Sequence, residues 1–281
     1  MKIKAVGILH PGAMGSSIGE AARAGGLGVY WVSMERSHAT KERAQKAGLI
    51  DAGTLKTLVD RCGLIVSVCP PASAQGVADA VAGFSYSGFY LDANAICPDS
   101  SRQIARRMES TGARFIDGGI IGPPAWKEGT TRLYLSGPGA GEVAAIFSGS
   151  PLEVIELRGP AGRASALKMT YAAYTKGTVA LLGAILAVAE HEGVREALQR
   201  EWSLSQPALA DSAVLTVQRT TAKAWRFAGE MREIAAAFES ANLPGGFHKA
   251  AEEVYSRQDF FKGYREPPLL EEVLKALLLQ D

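Results

Sequence analysis

The chain has 281 residues, enough for two domains, and 47% of them are hydrophobic against 21% charged, which excludes a disordered polypeptide. Thirty Lys and Arg balance twenty-nine Asp and Glu, leaving a net charge of +1 and no run of like charge. Neither nucleic acid nor a membrane surface is therefore the expected partner; a small molecule is.

The opening MKIKAVGIL lacks the long apolar core and cleavage site of a secretory signal, and KAVGIL reads as a first strand. The loop that follows, HPGAMG, is a broken version of the dinucleotide fingerprint G-x-G-x-x-G. Gly12 and Gly15 hold the two later glycine positions: one admits a diphosphate to the backbone, and the other lets a helix pack on the strand. His10 takes the place of the first, where a His10-Pro11 bend makes the tight turn by rigidity. His10, Pro11, Gly12, Ala13, Met14 and Gly15 are thus the candidate pyrophosphate loop.

A second strand, GVYWVSM, runs into Glu35, Arg36 and Ser37. An acid at Glu35 would accept from a free 2′-hydroxyl and select NAD, whereas Arg36 and Ser37 would bind a 2′-phosphate and select NADP. The cofactor reads as NAD(P), the Arg-Ser pair tilting it to NADP; a solvated charge cluster is the plain alternative. Further strands follow at GLIVSVC, GFYLDAN, ARFIDGG, TRLYLSG and LEVIEL. Between them SHATKERAQKAG and PDSSRQIARRMESTG read as helices with a Ser or Asp N-cap and a closing glycine. This alternation builds βαβ units and a mostly parallel, doubly wound sheet. Cys62, Cys69 and Cys97 form no C-x-x-C pair and read as small core side chains in a reducing cytoplasm, with no zinc site.

After Gly159-Pro160 the texture changes. A helical pattern runs from Gly162 to about Glu192, roughly 45 Å long at 1.5 Å per residue. Its most apolar run, VALLGAILAVAEH, is too short to span a bilayer. The helix is expected to link the sheet to a second domain and to offer an apolar face to a second copy in a homodimer. Residues 194–281 read as four or five helices, broken at Ser205–Pro207, NLPGG and REPPLL. Domains of 1–160 and 161–281, the latter all-helical, follow. Arg226 and Glu230 are expected to form a solvated i,i+4 pair, His248 to be an N-terminal helix histidine after the Gly-Gly turn, and Trp126 and Trp225 to pack.

Four stretches in order, HPGAMG, LDANAICP, FIDGGIIGPP and GRASALKMTYAAY, resemble the β-hydroxyacid dehydrogenase superfamily, which includes 3-hydroxyisobutyrate and 6-phosphogluconate dehydrogenases. GTTRLYLSG and EWSLSQP are similar to a branch whose C-terminal domain lacks a functional label. The resemblance implies a Rossmann-type NAD(P)-binding domain, a long interdomain helix and an all-α C-terminal domain. It implies that Lys168 is the catalytic acid/base, that Asn94 lies near the nicotinamide, and that Cys69 and Pro70 cover the middle of the cofactor. The family's carboxylate-binding Ser-Gly-Gly falls on Ile121, Gly122 and Pro123, and its substrate-holding asparagines on Tyr171 and Ala172. These departures remove polar contacts, so a larger or less polar substrate is expected, held by the N–H groups of Gly118 and Gly119 and by the Tyr171 hydroxyl.

The residues themselves support the lysine. Ser165, Lys168, Tyr171 and Thr175 make one polar stripe on an otherwise apolar helix, as at a cleft between domains. Burial there would lower the amine from near 10.4 toward about 7 to 8, in range for proton transfer. The leading reading is an NAD(P)-dependent oxidoreductase acting on a hydroxyl or carbonyl carbon. An imine reductase on the same scaffold and a non-catalytic dinucleotide sensor are the alternatives, and Lys168 discriminates against both.

Overall fold

The computed structural model describes residues 3–279. β1 (Ala5–Ile8), α1 (Ala13–Ala24), β2 (Gly28–Trp31) and α2 (His38–Lys46) open the chain. β3 (Ile50–Asp51), α3 (Leu55–Arg61), β4 (Leu64–Ser67) and α4 (Ala74–Ala82) follow, then β5 (Phe89–Asp92) and α5 (Pro98–Glu109). β6 (Arg114–Ile121), β7 (Arg132–Ser136), α6 (Ala140–Ala144) and β8 (Glu153–Glu156) complete one eight-stranded sheet of order β3-β2-β1-β4-β5-β6-β7-β8. Every neighbouring pair is parallel except β6 and β7. The two-residue edge strand β3 carries no apolar run and was not expected from the sequence.

The strands read as unbroken apolar runs because both faces of the sheet are covered. Leu64, Val66, Phe89 and Leu91 face one core; Ile65, Tyr90 and Phe115 face the other, with Ile104 and Met108 of α5. Local signals set the helix starts. Ser37 caps α2 by accepting the Thr40 N–H. For α5 the cap is the Cys97 sulfur, accepting from Ser100, with Pro98 at the first helical position. Asp99, the acidic cap expected there, stands inside the first turn and pairs with Arg102 instead.

One line across the sheet breaks the apolar pattern. Ser67, Asp92, Asp117 and Ser136 are neighbours in register on β4, β5, β6 and β7, and all four are buried. Residues paired in register point to the same face, here that of Ile65, Tyr90 and Phe115. The polar row therefore lies along one rim of the second core.

α7 (Arg163–His191) is a single helix of 29 residues, and the chain divides into two compact units after Met169, within it. By length and composition α7 could cross a membrane, with a mean hydropathy of 1.5 over 18 residues, so the apolar stretch is longer than the run from Val179. Half of that window is buried inside the protein, which is the use its apolarity has here. In the unit from Thr170 on, α7 is followed by α8 (Arg195–Ser205), α9 (Pro207–Thr220), α10 (Ala224–Ser240), α11 (Gly246–Ser256) and α12 (Leu270–Leu278). Leu182, Leu186 and Ala187 of α7 pack there with Trp202, Val217, Phe261, Val273, Leu274 and Leu277.

Two expectations for side chains fail, those for the Arg226–Glu230 pair and for the two tryptophans, while His248 stands in the first turn of α11 as expected. Glu230 pairs with Lys176 of α7, whose ammonium also lies over the Phe227 ring, and not with Arg226. His248 is buried between Phe238 and Phe247, because it shares the i, i+3, i+7 stripe of Ala251 and Tyr255 on which α11 packs. Trp126 and Trp225 are exposed, at 51% and 37%, and are not core residues.

Candidate cofactor and acid–base site

The HPGAMG loop closes by backbone alone. Gly12 N–H donates to the His10 carbonyl at 2.8 Å, a three-residue turn that replaces the one the first glycine would make. The Arg43 guanidinium reaches the Pro11 carbonyl from α2 at 3.5 Å. Gly15 is required by contact: a side chain there would collide with the His10 carbonyl oxygen. Gly12 is different, since a Cβ on it would meet nothing within 4 Å. It caps α1 in extended backbone without any side-chain hydrogen bond, and the first turn holds no acid. Ala13 is exposed and Met14 half-buried beside it. The first turn thus faces open space with its N–H groups and the positive end of its dipole free for an anion.

Two nitrogens beside this loop are buried without a hydrogen-bond partner, His10 Nδ1 and Arg36 Nε. Burial, reinforced by the Arg36 charge, pushes the imidazole down to about 4. Glu35 is exposed, in left-handed backbone at φ +58°, and the Ser37 hydroxyl is engaged with Thr40. These features fit a dinucleotide: a glycine cradle open where a diphosphate would lie, and unpaired nitrogen donors next to it.

The far wall is organised from the polar row. Asn94 is buried and its amide is fully used: Oδ1 accepts the Cys69 N–H at 2.6 Å, and Nδ2 donates to Ser67 Oγ and Asp92 Oδ2 at 3.0 Å each. Its backbone N–H also reaches Asp92 Oδ1. Asn94 therefore fixes the strand-end loop carrying Cys69 and Pro70. Burial raises the Asp92 carboxyl to about 7, against the pull of the Asn94 hydrogen bonds and with a further push from Asp117. Burial likewise raises the Cys69 thiol to about 12, so it is an inert thiol at neutral pH. Pro70 is exposed and opens the 3₁₀ turn Pro71–Ser73.

Asp117 is the residue that sequence reasoning missed. Its Oδ2 accepts from the N–H groups of Gly162, Ala164 and Ser165 at 2.9, 2.8 and 3.1 Å, and from the Ser136 hydroxyl. Its Oδ1 accepts from the Ser101 and Ser165 hydroxyls. One carboxylate thus caps the long helix from inside the sheet, and Ser165 leaves the expected polar stripe to serve it. The available signal was an acid on the inward-facing period of a strand, since Phe115, Asp117 and Gly119 share a face.

Gly119 continues that face, and a Cβ on it would stand 2.5 Å from the Ala164 carbonyl and 3.2 Å from Lys168 Cβ. Its bareness lets the first turns of α7 lie on β6 and sets Lys168 there, two residues beyond the position level with the end of β5. Lys168 makes no hydrogen bond or ion pair among the described residues, and burial lowers its amine to about 8. Gly118 and Gly119 lie in the ladder to β7, opposite Leu135 and Tyr134. Ile121 is buried at the end of β6; Gly122 follows in left-handed backbone at φ +124°, where a side chain would strike Thr130. Tyr171, one turn further along α7, is 48% exposed.

The family described as the NAD binding domain of 6-phosphogluconate dehydrogenase matches residues 3–143, half of the chain. The chain belongs to this family. A second family, Domain of unknown function (DUF1932), matches residues 189–258. An uncharacterized 28.5 kDa protein of Methanothermus fervidus, encoded in the 7S RNA 5′ region, is 32% identical over 164 residues, or 58% of this chain. The match spans 62% of that relative's length. Among solved structures, conserved protein MTH1747, of unknown function and described as similar to 3-hydroxyacid dehydrogenases, is 25% identical, with a TM-score of 0.68. That match covers 92% of this chain and 97% of the other. The 3-hydroxyisobutyrate dehydrogenase of Mycobacterium tuberculosis, solved with L-serine, shares the fold at 13% identity and TM-score 0.72, covering 99% and 100% of the two chains. An imine reductase variant from Myxococcus stipitatus, solved with NAD+, does so at 22% and 0.57, covering 99% and 100%. The chain is thus an NAD-binding-domain protein with the 3-hydroxyacid dehydrogenase fold.

Proposed function

We propose that the protein is an NAD(P)-dependent oxidoreductase that moves hydride between nicotinamide and a hydroxyl or carbonyl carbon of a small, hydroxyacid-like molecule, with Lys168 as general acid/base. The observation that carries this reading is Lys168, a half-buried lysine set by its Cβ over Gly119 of β6 in an NAD-binding domain, whose amine is lowered to about 8 and makes no hydrogen bond or ion pair among the described residues. The bound cofactor supplies or accepts the hydride. Lys168, when neutral, takes the proton from a substrate hydroxyl; when charged, it returns the proton to the oxygen of a carbonyl. The Gly12–Gly15 loop and Arg36 would hold the dinucleotide, and the unpaired Arg36 donor supports NADP over NAD. The buried Ile121 and the missing N–H of Pro123 support a substrate end less polar than a short hydroxyacid.

Reduction of a C=N bond is the second reading. It draws on the same apolar strand end and on the shared imine reductase fold. A sensor without turnover would need the glycine loop but no lysine poised near neutrality.

The deciding experiment titrates the protein with NADH and NADPH separately, then follows nicotinamide absorbance across hydroxyacids, carbonyls and cyclic imines. With an accepted substrate, Lys168→Ala is expected to keep cofactor affinity and to lose hydride transfer by about a hundredfold or more. Equal rates for variant and parent would remove Lys168 from the chemistry.

A further inference from the structure

We infer that the His10 imidazole is itself a ligand of the cofactor, hydrogen-bonding a phosphate oxygen of the bound dinucleotide beside Arg36. This rests on the dinucleotide reading above and adds a contact that a glycine at this position cannot make. The turn does not explain the residue, because the bond that closes it runs from Gly12 N–H to the His10 carbonyl and is independent of the side chain. A glycine would serve there. The imidazole instead ends in a buried nitrogen with no partner. Leaving such an atom unpaired is costly, and natural proteins retain it where a ligand completes it.

The neighbouring groups identify that ligand as anionic. Arg36, on the loop after β2, holds a second buried and unpartnered nitrogen, and its charge acts on His10. Arg43 of α2 approaches the same loop through the Pro11 carbonyl. Across from them, the Cys69 thiol stays protonated, and Glu35 points to solvent. No anion among the described residues satisfies these donors, and the first turn of α1, which begins three residues after His10, has no side-chain cap and no acid. A phosphate oxygen meets all three. Its charge would also offset the burial and the Arg36 field that keep the imidazole neutral, so cofactor binding draws a proton onto His10.

The test measures affinities of NADH and NADPH by fluorescence titration for the parent, His10→Gly and His10→Asn, with thermal melting to confirm that each variant folds. His10→Gly restores the fingerprint glycine and is expected to weaken binding by about tenfold, and His10→Asn, which keeps an N–H near the Nδ1 position, to recover part of the loss. A loss for both cofactors assigns the contact to the pyrophosphate, and a loss for NADPH alone assigns it to the 2′-phosphate. A glycine variant that binds both as tightly as the parent overturns the inference while leaving the dinucleotide reading intact. A parent that binds neither overturns both. Should the glycine variant fail to fold, calorimetry of NADP+ binding to the parent at about pH 5.5, in two buffers of different ionisation enthalpy, decides. Proton uptake supports the contact and its absence overturns it.

Discussion

Ser165 donates its hydroxyl to Asp117 Oδ1 at 2.5 Å, joining the first turn of the long helix to the middle of β6. The same carboxyl group receives three backbone N–H groups of that turn and two further serine hydroxyls, so among the described residues its oxygens are met by hydrogen bonds and by no ion pair. Lys168 stands one turn further on. The placement of the Lys168 Cβ over Gly119 is therefore set by an acid on a different element.

Replacing Asp117 with Ala should be severe. It strands six donors in a dry site, and a loss of roughly 3–5 kcal/mol is expected by urea denaturation. Asp117→Asn should cost less, because one acceptor oxygen survives. A loss below about 1 kcal/mol for the alanine variant would mean that the first turn of α7 is held by other contacts.

Every strand but β3 was legible in the sequence because each is a short apolar run ended by a turn residue, and α7 because no proline breaks it. What the sequence hid lies in pairings across elements. Asp117, Asp92, Ser67 and Ser136 are far apart in the chain and meet only through strand register. Asn94 was read as a cofactor neighbour, and no local pattern reveals that its amide is already spent on Cys69, Ser67 and Asp92. Glu230 illustrates the same limit: i,i+4 spacing offered Arg226, while packing against α7 delivered Lys176. Gly118 and Gly119 were read as N–H donors to a substrate, but the group that lies against Gly119 is the chain's own helix.

The lowered Lys168 value gives opposite pH profiles for the two directions. Alcohol oxidation needs the neutral amine, so kcat should rise as pH rises through about 8; reduction needs the ammonium and should fall over the same range. The linkage to stability has its own sign. Between about 8 and the ordinary lysine value the unfolded chain binds the proton that the folded one has released, so stability rises with pH across that window. Lys168→Met should accordingly raise the melting temperature at pH 7 while abolishing proton transfer. Profiles that keep the same limb in the methionine variant would assign the titration elsewhere.

Arg36 and Glu35 make competing claims on the adenosine ribose. Arg36 carries a buried, unpartnered nitrogen, whereas Glu35 points to solvent. Arg36→Ala should therefore weaken NADPH by about ten- to a hundredfold and NADH by much less, since a hydrogen bond to a charged phosphate contributes about 1.5–3 kcal/mol. Titration of both cofactors against the variant checks this. A larger loss for NADH would hand selection to Glu35.

We propose that the exposed side of α7 forms the contact of a homodimer. Tyr174, Leu181 and Val188 are 76%, 45% and 60% exposed and recur at intervals of seven residues, which keeps them on nearly one line of the helix. A stripe of large apolar side chains left in water is unfavourable, at about 25 cal/mol per Å² of apolar surface. A two-fold axis would remove it from solvent on both copies at once, since an isologous contact uses the same patch twice. Leu181→Arg places a charge at the centre of that contact and should shift the equilibrium toward monomer by well over tenfold at micromolar protein, with the sheet unit unaffected. Sedimentation equilibrium of parent and variant measures it. A parent that sediments as a monomer at tens of micromolar would leave the stripe without this partner, and an unchanged dimer in the variant would move the interface to another face.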